Sequence, residues 1–163
     1  MTIETPPDRT DFAIIRLLMK DARLSNKEIA AAVGLAPSSC HERIKSLRKR
    51  KILLGAHVEV NLRAIGLALE AVLFVQLGKL EVHVVDKFVS SAAEILEVRS
   101  VFLVSGRFDL IVHVAVRDME HLKELISKHF NRHAVVVRVE TSVVFSRATQ
   151  HAIPISEPKP LAG

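Results

Sequence analysis

Apolar residues recur at two different spacings along the chain and divide it into two blocks. In residues 8–56 the apolar positions lie three and four apart, which is the spacing of amphipathic helices. From Val58 onward, runs of Val, Ile and Leu of strand length alternate with further helical stretches. The pattern predicts a helical first domain followed by a domain that contains both strands and helices.

The first block predicts three helices, of which the first has Asp11 as its expected N-cap. The second is expected to begin at Ser25, because Glu28 stands three residues further on in the spacing of a capping box. Gly34 is expected to end this helix. The third is expected to begin at Pro37, since proline suits a first helical turn. The tight turn between the last two predicts a helix-turn-helix.

The second block shows the order strand, helix, strand twice, at a spacing of about 40 residues. The predicted strands are 58–62, 69–77, 98–104, 109–116 and 135–145. This order is the split βαβ arrangement of ferredoxin-like folds. Two helices cover only one face of such a sheet, so we expect the other face to meet a second subunit.

The predicted fold class is α+β, with a winged-helix-like helix-turn-helix domain followed by a ferredoxin-like βαββαβ sandwich. The expected divisions are 8–56 for the helix-turn-helix, 57–68 for a linker strand or hinge, 69–148 for the sandwich and 149–163 for a flexible tail.

Residues 43–51 carry six basic side chains and no acidic one, which exceeds the formal net charge of +5 of the whole chain. One interpretation is a solvated helix end, because cations favour a helix C-terminus. The position of the run at the end of a helix-turn-helix favours binding to double-stranded DNA. The absence of Trp and Tyr argues against single-strand binding by base stacking.

Several protein classes are disfavoured by composition. No apolar run reaches the roughly 18 residues of a membrane span, and the first eleven residues lack the apolar core of a signal peptide. The single Cys40 fits a reducing compartment. We therefore expect a cytoplasmic protein that is not associated with a membrane.

Residues in both blocks resemble the Lrp/AsnC, or feast/famine, family of regulators over about 8–148. In the first block these are Asp11, Ile14, Leu18, Asp21, Arg23, Leu24, Ser25, Glu28, Ile29, Ala30, Val33, Gly34, Leu35, Arg43, Ile44, Lys45, Leu47, Ile52 and Gly55. In the second block Gly106, Arg107, Phe108, Asp109 and Leu110 resemble the family's Gly-x-Tyr-Asp-Leu loop. The resemblance implies a transcriptional regulator whose second domain binds an amino acid at a subunit interface and assembles from dimers into tetramers or octamers.

Three positions depart from the family pattern. Ala36 stands where a Ser N-cap is usual, which removes a capping bond worth about 1 kcal/mol. Lys51 replaces a glycine, so the turn there is expected to differ. Phe108 replaces a tyrosine and removes a hydroxyl from the loop.

Two sets of site residues follow from the pattern and the resemblance. The predicted DNA-binding residues are Ser25, Asn26, Pro37, Ser38, Ser39, His41, Glu42, Arg43, Lys45, Arg48, Lys49 and Arg50. The predicted effector-binding residues are Val104, Ser105, Gly106, Arg107, Phe108, Asp109, Thr141 and Ser142. From the residues alone, Gly106 and Asp109 are equally consistent with an ordinary turn in which the Asp side chain bonds locally.

The remaining chemistry is sparse. His129 and His133 are four apart, but without a Cys or carboxylate partner we interpret them as surface residues rather than metal ligands. Cys40 is interpreted as a small core residue. We expect no cofactor and no enzyme activity. The alternatives are an architectural, nucleoid-type DNA-binding protein without an effector, or an enzyme or sensor on a ferredoxin-like domain.

Overall fold

The computed structural model describes residues 6–78 and 81–150. The chain forms two compact units, one built from the helices that precede Val58 and one from Glu59–Arg147. The predicted tail at 149–163 lies outside the described residues from position 151 onward.

The first unit is a bundle of three helices, α1 (Arg9–Lys20), α2 (Asn26–Ala32) and α3 (Pro37–Lys49). Their apolar stripes meet in one core, and burying these side chains stabilises the unit because it removes apolar surface from water. The buried members are Ile14, Ile15, Ile29, Ala30, Cys40, Ile44 and Leu47. The predicted helix-turn-helix is confirmed, with Gly34 at φ 69° in the turn between α2 and α3.

The predicted N-cap of α1 was wrong. Asp8 caps the helix and accepts from the Asp11 backbone N–H over 2.8 Å, while the Asp11 carboxylate accepts from the Asp8 backbone N–H over 3.2 Å. Asp11 is thus the third helical residue of a capping box, and α1 begins at Arg9. The Ser25 and Glu28 capping box predicted for α2 is confirmed.

Two predictions concern the segment after α3. Lys51 adopts φ 55°, a left-handed conformation that glycine takes more readily than other residues. Residues 58–62 were predicted as a strand, but they form none. A strand needs a hydrogen-bonded neighbour, and these residues find none among the described strands. Val58 in this segment is 87% exposed.

The second unit is a four-stranded antiparallel sheet with two helices. In chain order it contains β1 (Leu69–Leu77), α4 (Val82–Ala93), β2 (Val98–Leu103), β3 (Leu110–Val116), α5 (Met119–Ile126) and β4 (Val136–Val143). A π-helical turn, Ser127–Asn131, continues α5 and buries Phe130. The strand order β2-β3-β1-β4 is that of a ferredoxin-like fold, which confirms the predicted class.

The two faces of the sheet have different surroundings. Leu73 of β1 and Val112 of β3 face α4 and α5 and share a core with Phe88, Leu122 and Phe130. The opposite face, here called the open face, carries alternate residues of the same strands, since neighbouring side chains in a strand point to opposite sides. Its apolar members are Val72, Phe74, Phe102, Ile111 and Ala115.

Candidate DNA-reading helix and effector loop

The outward face of α3 carries most of the residues predicted to bind DNA. Burial of Cys40, Ile44 and Leu47 fixes which side of the helix meets the core. The opposite side is exposed, and no described residue pairs with the carboxylate of Glu42, which is the single acid of this helix. The exposed predicted residues are Pro37, Ser38, Ser39, His41, Glu42, Lys45, Arg48 and Lys49.

Ser25 and Asn26 have polar atoms that are already engaged inside the motif. The Ser25 hydroxyl donates to Glu28 Oε2 over 2.7 Å, and this hydrogen bond holds the pKa of the Glu28 carboxyl below its ordinary value. Asn26 Nδ2 donates to the Pro37 carbonyl over 2.7 Å and so joins the beginning of α2 to the beginning of α3. Ser25 therefore stabilises the beginning of α2, and Asn26 stabilises the contact between α2 and α3.

Arg43 is half-buried and differs from its exposed neighbours. Its Nη1 donates to Asp8 Oδ2 over 2.7 Å and to Asp11 Oδ1 over 2.8 Å. Both carboxylates raise the pKa of the guanidinium. Arg43 is therefore already engaged by two carboxylates, unlike the exposed residues of α3 that are predicted to bind DNA. Nothing in the sequence spacing pointed to the two aspartates, which lie 35 and 32 positions away.

Net charge is concentrated in the first unit. Residues 6–58 contain eleven basic and five acidic side chains, whereas residues 59–147 contain eleven of each. Arg48 and Lys49 lie in the last turn of α3 and are exposed, and Arg50 follows as the half-buried C-cap. A positive field therefore surrounds the C-terminal end of α3.

The beginning of α3 lacks a side-chain cap. Ala36 occupies the N-cap position and makes no capping hydrogen bond. We expect Ala36→Ser to raise the free energy of unfolding by about 1 kcal/mol, because a serine hydroxyl satisfies one free N–H of the first turn. Denaturant unfolding of the two proteins measures the difference. Ala36→Val is the control, since it adds volume without an acceptor, and equal stabilisation by both variants would contradict the capping explanation.

The loop between β2 and β3 is fixed at both ends by hydrogen bonds. The Val104 N–H donates to the Asp109 carbonyl over 2.9 Å, and the Asp109 N–H donates to the Val75 carbonyl over 3.0 Å. Gly106 has φ 129°, a conformation that other residues rarely adopt. The backbone N–H groups of residues 105–108 donate to no described residue. Such a run of free N–H groups suits an anion, for example a carboxylate.

The Asp109 side chain bonds to a residue 32 positions away, whereas the plain turn interpretation predicts a bond within the turn. Its Oδ2 accepts from the Leu77 N–H at the end of β1 over 2.8 Å. This bond attaches the loop to the central strand of the sheet. Together with the backbone bond to Val75, it places residue 109 against β1.

Arg107 and Phe108 connect the loop with the open face. The Phe108 ring lies 5.6 Å from the Phe74 ring between centroids, and the Arg107 guanidinium lies 5.2 Å from the Phe108 centroid. Arg107 Nη2 also donates to Glu140 Oε1 over 3.2 Å. Glu140 is thus the β4 residue that reaches the loop, and the sequence analysis did not single it out.

Thr141 and Ser142 lie on opposite faces of the sheet. Thr141 is paired with Leu73 of the helix-covered face, and Ser142 is paired with Val72 of the open face. The two side chains therefore cannot both face one ligand within a single chain. Neither side chain makes a hydrogen bond or ion pair with a described residue of the 104–109 loop.

Cys40 is fully buried in the core of the first unit, and burial raises the pKa of its thiol. This confirms its interpretation as a core residue. Within residues 6–78 and 81–150, no group of three His, Cys, Asp or Glu side chains is arranged to hold a metal ion. His133 packs instead against Phe88, with 4.6 Å between ring centroids. None of the described helices has the length and apolarity to cross a membrane.

Comparison with known proteins agrees with this architecture. Residues 8–48 match the profile of the AsnC-type helix-turn-helix domain, and residues 70–153 match that of the Lrp/AsnC ligand binding domain. The HTH-type transcriptional regulator AldR of Mycobacterium tuberculosis is 33% identical over 85% of this chain and 77% of its own length. The leucine-responsive regulatory protein of Escherichia coli K12 is 29% identical over 88% of this chain and 87% of its own.

A solved structure shows the same fold. A transcriptional regulator from Neisseria meningitidis, crystallised as an L-Met complex, superposes with a TM-score of 0.81 at 25% identity. The superposition covers 89% of this chain and 94% of that one. With both domain profiles matched in order, the chain belongs to the Lrp/AsnC family of transcriptional regulators.

Proposed function

We propose that the protein binds double-stranded DNA sequence-specifically, with α3 in the major groove and the basic end of that helix on the flanking phosphates. The exposed outward face of α3 carries this proposal, because it offers polar side chains to base edges next to an acid-free basic run. Residues 8–56 are the DNA-binding part in this proposal. A duplex titration at increasing salt tests it, since phosphate contacts make affinity fall steeply with salt.

Glu42 is proposed to read a base, because a carboxylate accepts from the amino group of cytosine. We expect Glu42→Gln and Ser39→Ala to change which base is preferred at one position of the site, by about tenfold. Selection of duplexes from a random pool by each variant measures the preference. Lys49→Gln is the matched control for a phosphate contact, and it should weaken all duplexes alike. An unchanged base preference in both variants would contradict base reading by these residues.

An amino acid is the proposed effector, bound at the loop of residues 104–109. The free N–H groups of residues 105–108 are suited to its carboxylate, and the Asp109 bond to Leu77 holds them in place. Relatives named for leucine response or crystallised with L-Met support this class of effector. Phe108 offers an apolar wall in place of a hydroxyl, so aliphatic and aromatic amino acids are the first candidates.

The proposed assembly is a dimer formed through the open face, and dimers then associate further to tetramers or octamers. The face carries apolar side chains of β1, β2 and β3 next to polar pairs, in which Glu70 lies 2.9 Å from His113 and Glu140 lies 2.7 Å from Arg138. A self-complementary interface between two copies buries apolar side chains of this kind and leaves polar groups paired. Residues 69–148 would then serve both effector binding and assembly, and Thr141 and Ser142 could each face a different subunit.

Val72 lies in the middle of the open face, opposite His113 and Ser142. We expect Val72→Lys to convert the assembly to monomers at micromolar concentration, because pairing two copies would bury two unpaired charges. Light scattering measures the mass. Leu96→Lys is the control, since Leu96 is 94% exposed and lies outside the strands. A wild-type protein that is already monomeric would contradict the proposed interface.

The proposed role is regulatory rather than enzymatic, and it places the protein in the cytoplasm with the DNA. Its relatives are named as transcriptional regulators, which supports the role. An architectural protein would bind duplexes without sequence preference and without response to an amino acid, so the same titrations separate the two functions.

A further inference from the structure

The ion triad of Arg43, Asp8 and Asp11 joins the middle of the reading helix to the first turn of α1. Asp11 is the one buried charged residue among those described, with a side chain only 10% exposed. A buried carboxylate is costly unless a cation and hydrogen bonds compensate it. Arg43 supplies the cation, and the Asp8 N–H supplies a second hydrogen bond. The guanidinium is therefore held strongly by the protein itself.

The triad also limits how α3 can move. The buried residues Cys40, Ile44 and Leu47 form a single stripe along the helix. One apolar stripe resists separation of the helices more than it resists rotation of α3 about its own axis, because apolar contacts are not directional. Hydrogen bonds are directional, and the Arg43 bonds leave α3 on the flank of this stripe. The bond from Asn26 to the Pro37 carbonyl adds a second fixed point at the beginning of α3.

From these contacts we infer that Arg43 is a positioning residue, which with Asp8 and Asp11 sets the rotation of α3 relative to the DNA and makes no contact with the DNA itself. This inference rests on the proposed DNA-binding function. It separates two kinds of basic residue in the run of residues 43–51. Arg43 determines where the side chains of Ser39, Glu42 and Lys45 point, whereas the exposed basic residues supply attraction to phosphates.

The two roles predict opposite results for Asp11→Asn. If Arg43 contacted DNA, loosening it and removing a negative charge nearby would strengthen binding to every duplex. As a positioning residue, Arg43 loses its anchor, so affinity for a duplex selected by the wild type should fall about tenfold. Affinity for a scrambled duplex of equal length should stay constant or rise. General unfolding would lower both affinities, and titrating well below the melting temperature measured by circular dichroism excludes it.

Arg43→Met and Lys45→Met provide the matched pair, because both remove one charge from α3 and keep an unbranched stem. The salt slope is the slope of log affinity against log salt concentration. Lys45→Met should reduce it by about one, as expected when a cation that contacts a phosphate or a base is removed. Arg43→Met should leave the slope unchanged while reducing the ratio of specific to scrambled affinity about tenfold. The double variant of Asp11→Asn and Arg43→Met should lose no more specificity than Arg43→Met alone, because the two substitutions disrupt the same ion triad.

Two results would overturn the inference. One is a salt slope that falls by about one in Arg43→Met with equal weakening of both duplexes. The other is tighter binding of every duplex by Asp11→Asn. If Arg43→Met does not fold, Asp11→Asn and Asp8→Asn decide the question through the same affinity ratio. A wild type that does not distinguish the two duplexes would instead contradict the proposed function, which is a separate outcome.

Discussion

Replacing Arg48, Lys49 and Arg50 together by Ala is expected to reduce the slope of log affinity against log salt concentration, and to lower affinity for all duplexes alike. The slope should fall by about two for the exposed pair, and by up to about three if half-buried Arg50 also reaches a phosphate. Each phosphate contact releases condensed counterions, so each lost contact removes close to one from the slope. When salt is raised from 50 to 200 mM, a variant that has lost three contacts should lose about 40-fold less affinity than the wild type loses. Fluorescence anisotropy with a labelled duplex, repeated across salt concentrations, measures the slope.

The matched control is the replacement of Lys87, Lys123 and Lys128 by Ala. These lysines are exposed in the second unit and change the net charge of the chain by the same amount. The control should keep the wild-type slope, because the effect depends on the location of the charges. If the two triple variants gave the same slope, the basic end of α3 would not contact phosphate.

Asp109→Ala is expected to abolish the effect of an amino acid on DNA binding and leave binding without effector intact. The substitution removes the acceptor of the Leu77 N–H, so that the Asp109 backbone bond to the Val75 carbonyl alone still holds this end of the loop against β1. The first unit is not changed. An effector typically changes the affinity for the second ligand, here DNA, by about 5- to 150-fold. In Asp109→Ala this factor should fall to one. Calorimetry with the amino acid and anisotropy with DNA measure the two sides of the coupling.

Asp109→Asn separates the two possible roles of this side chain. Asparagine retains a carbonyl acceptor for the Leu77 N–H but has no charge to pair with an ammonium group. On the proposal that Asp109 orients the loop through its bond to Leu77, Asp109→Asn should keep the response. Loss of the response in both variants would show that the charge itself is required. A wild-type response in Asp109→Ala would refute the regulatory role of the loop.

Local signals in the sequence were sufficient for much of the fold. Ser25 with Glu28, Gly34 and Pro37 each act within one turn of chain, and all three are found where predicted. The N-cap of α1 was misplaced because Asp8 and Asp11 are both suitable residues, and they cap each other's backbone. The apolar pattern at 58–62 suggested a strand, but strand formation depends on a pairing partner that the local sequence does not specify.

The site residues were predictable where they depend on helix periodicity. The outward face of α3 follows from its buried stripe, whereas the attachment of Arg43 to Asp8 and Asp11 depends on the packing of α1 against α3. Contacts of this kind between distant positions leave no periodic signal in one sequence. The separation of Thr141 from Ser142 was predictable, since adjacent strand residues point to opposite faces.

The central claim is that α3 reads a DNA sequence and that an amino acid changes this reading. The most direct measurement is an anisotropy titration of a duplex selected by the protein and a scrambled duplex, at fixed salt, with and without each of the twenty amino acids. The account predicts binding of the selected duplex at least about 10³-fold tighter, and a change of that affinity with an aliphatic or aromatic amino acid. Equal affinity for the two duplexes, unchanged by every amino acid, would contradict it.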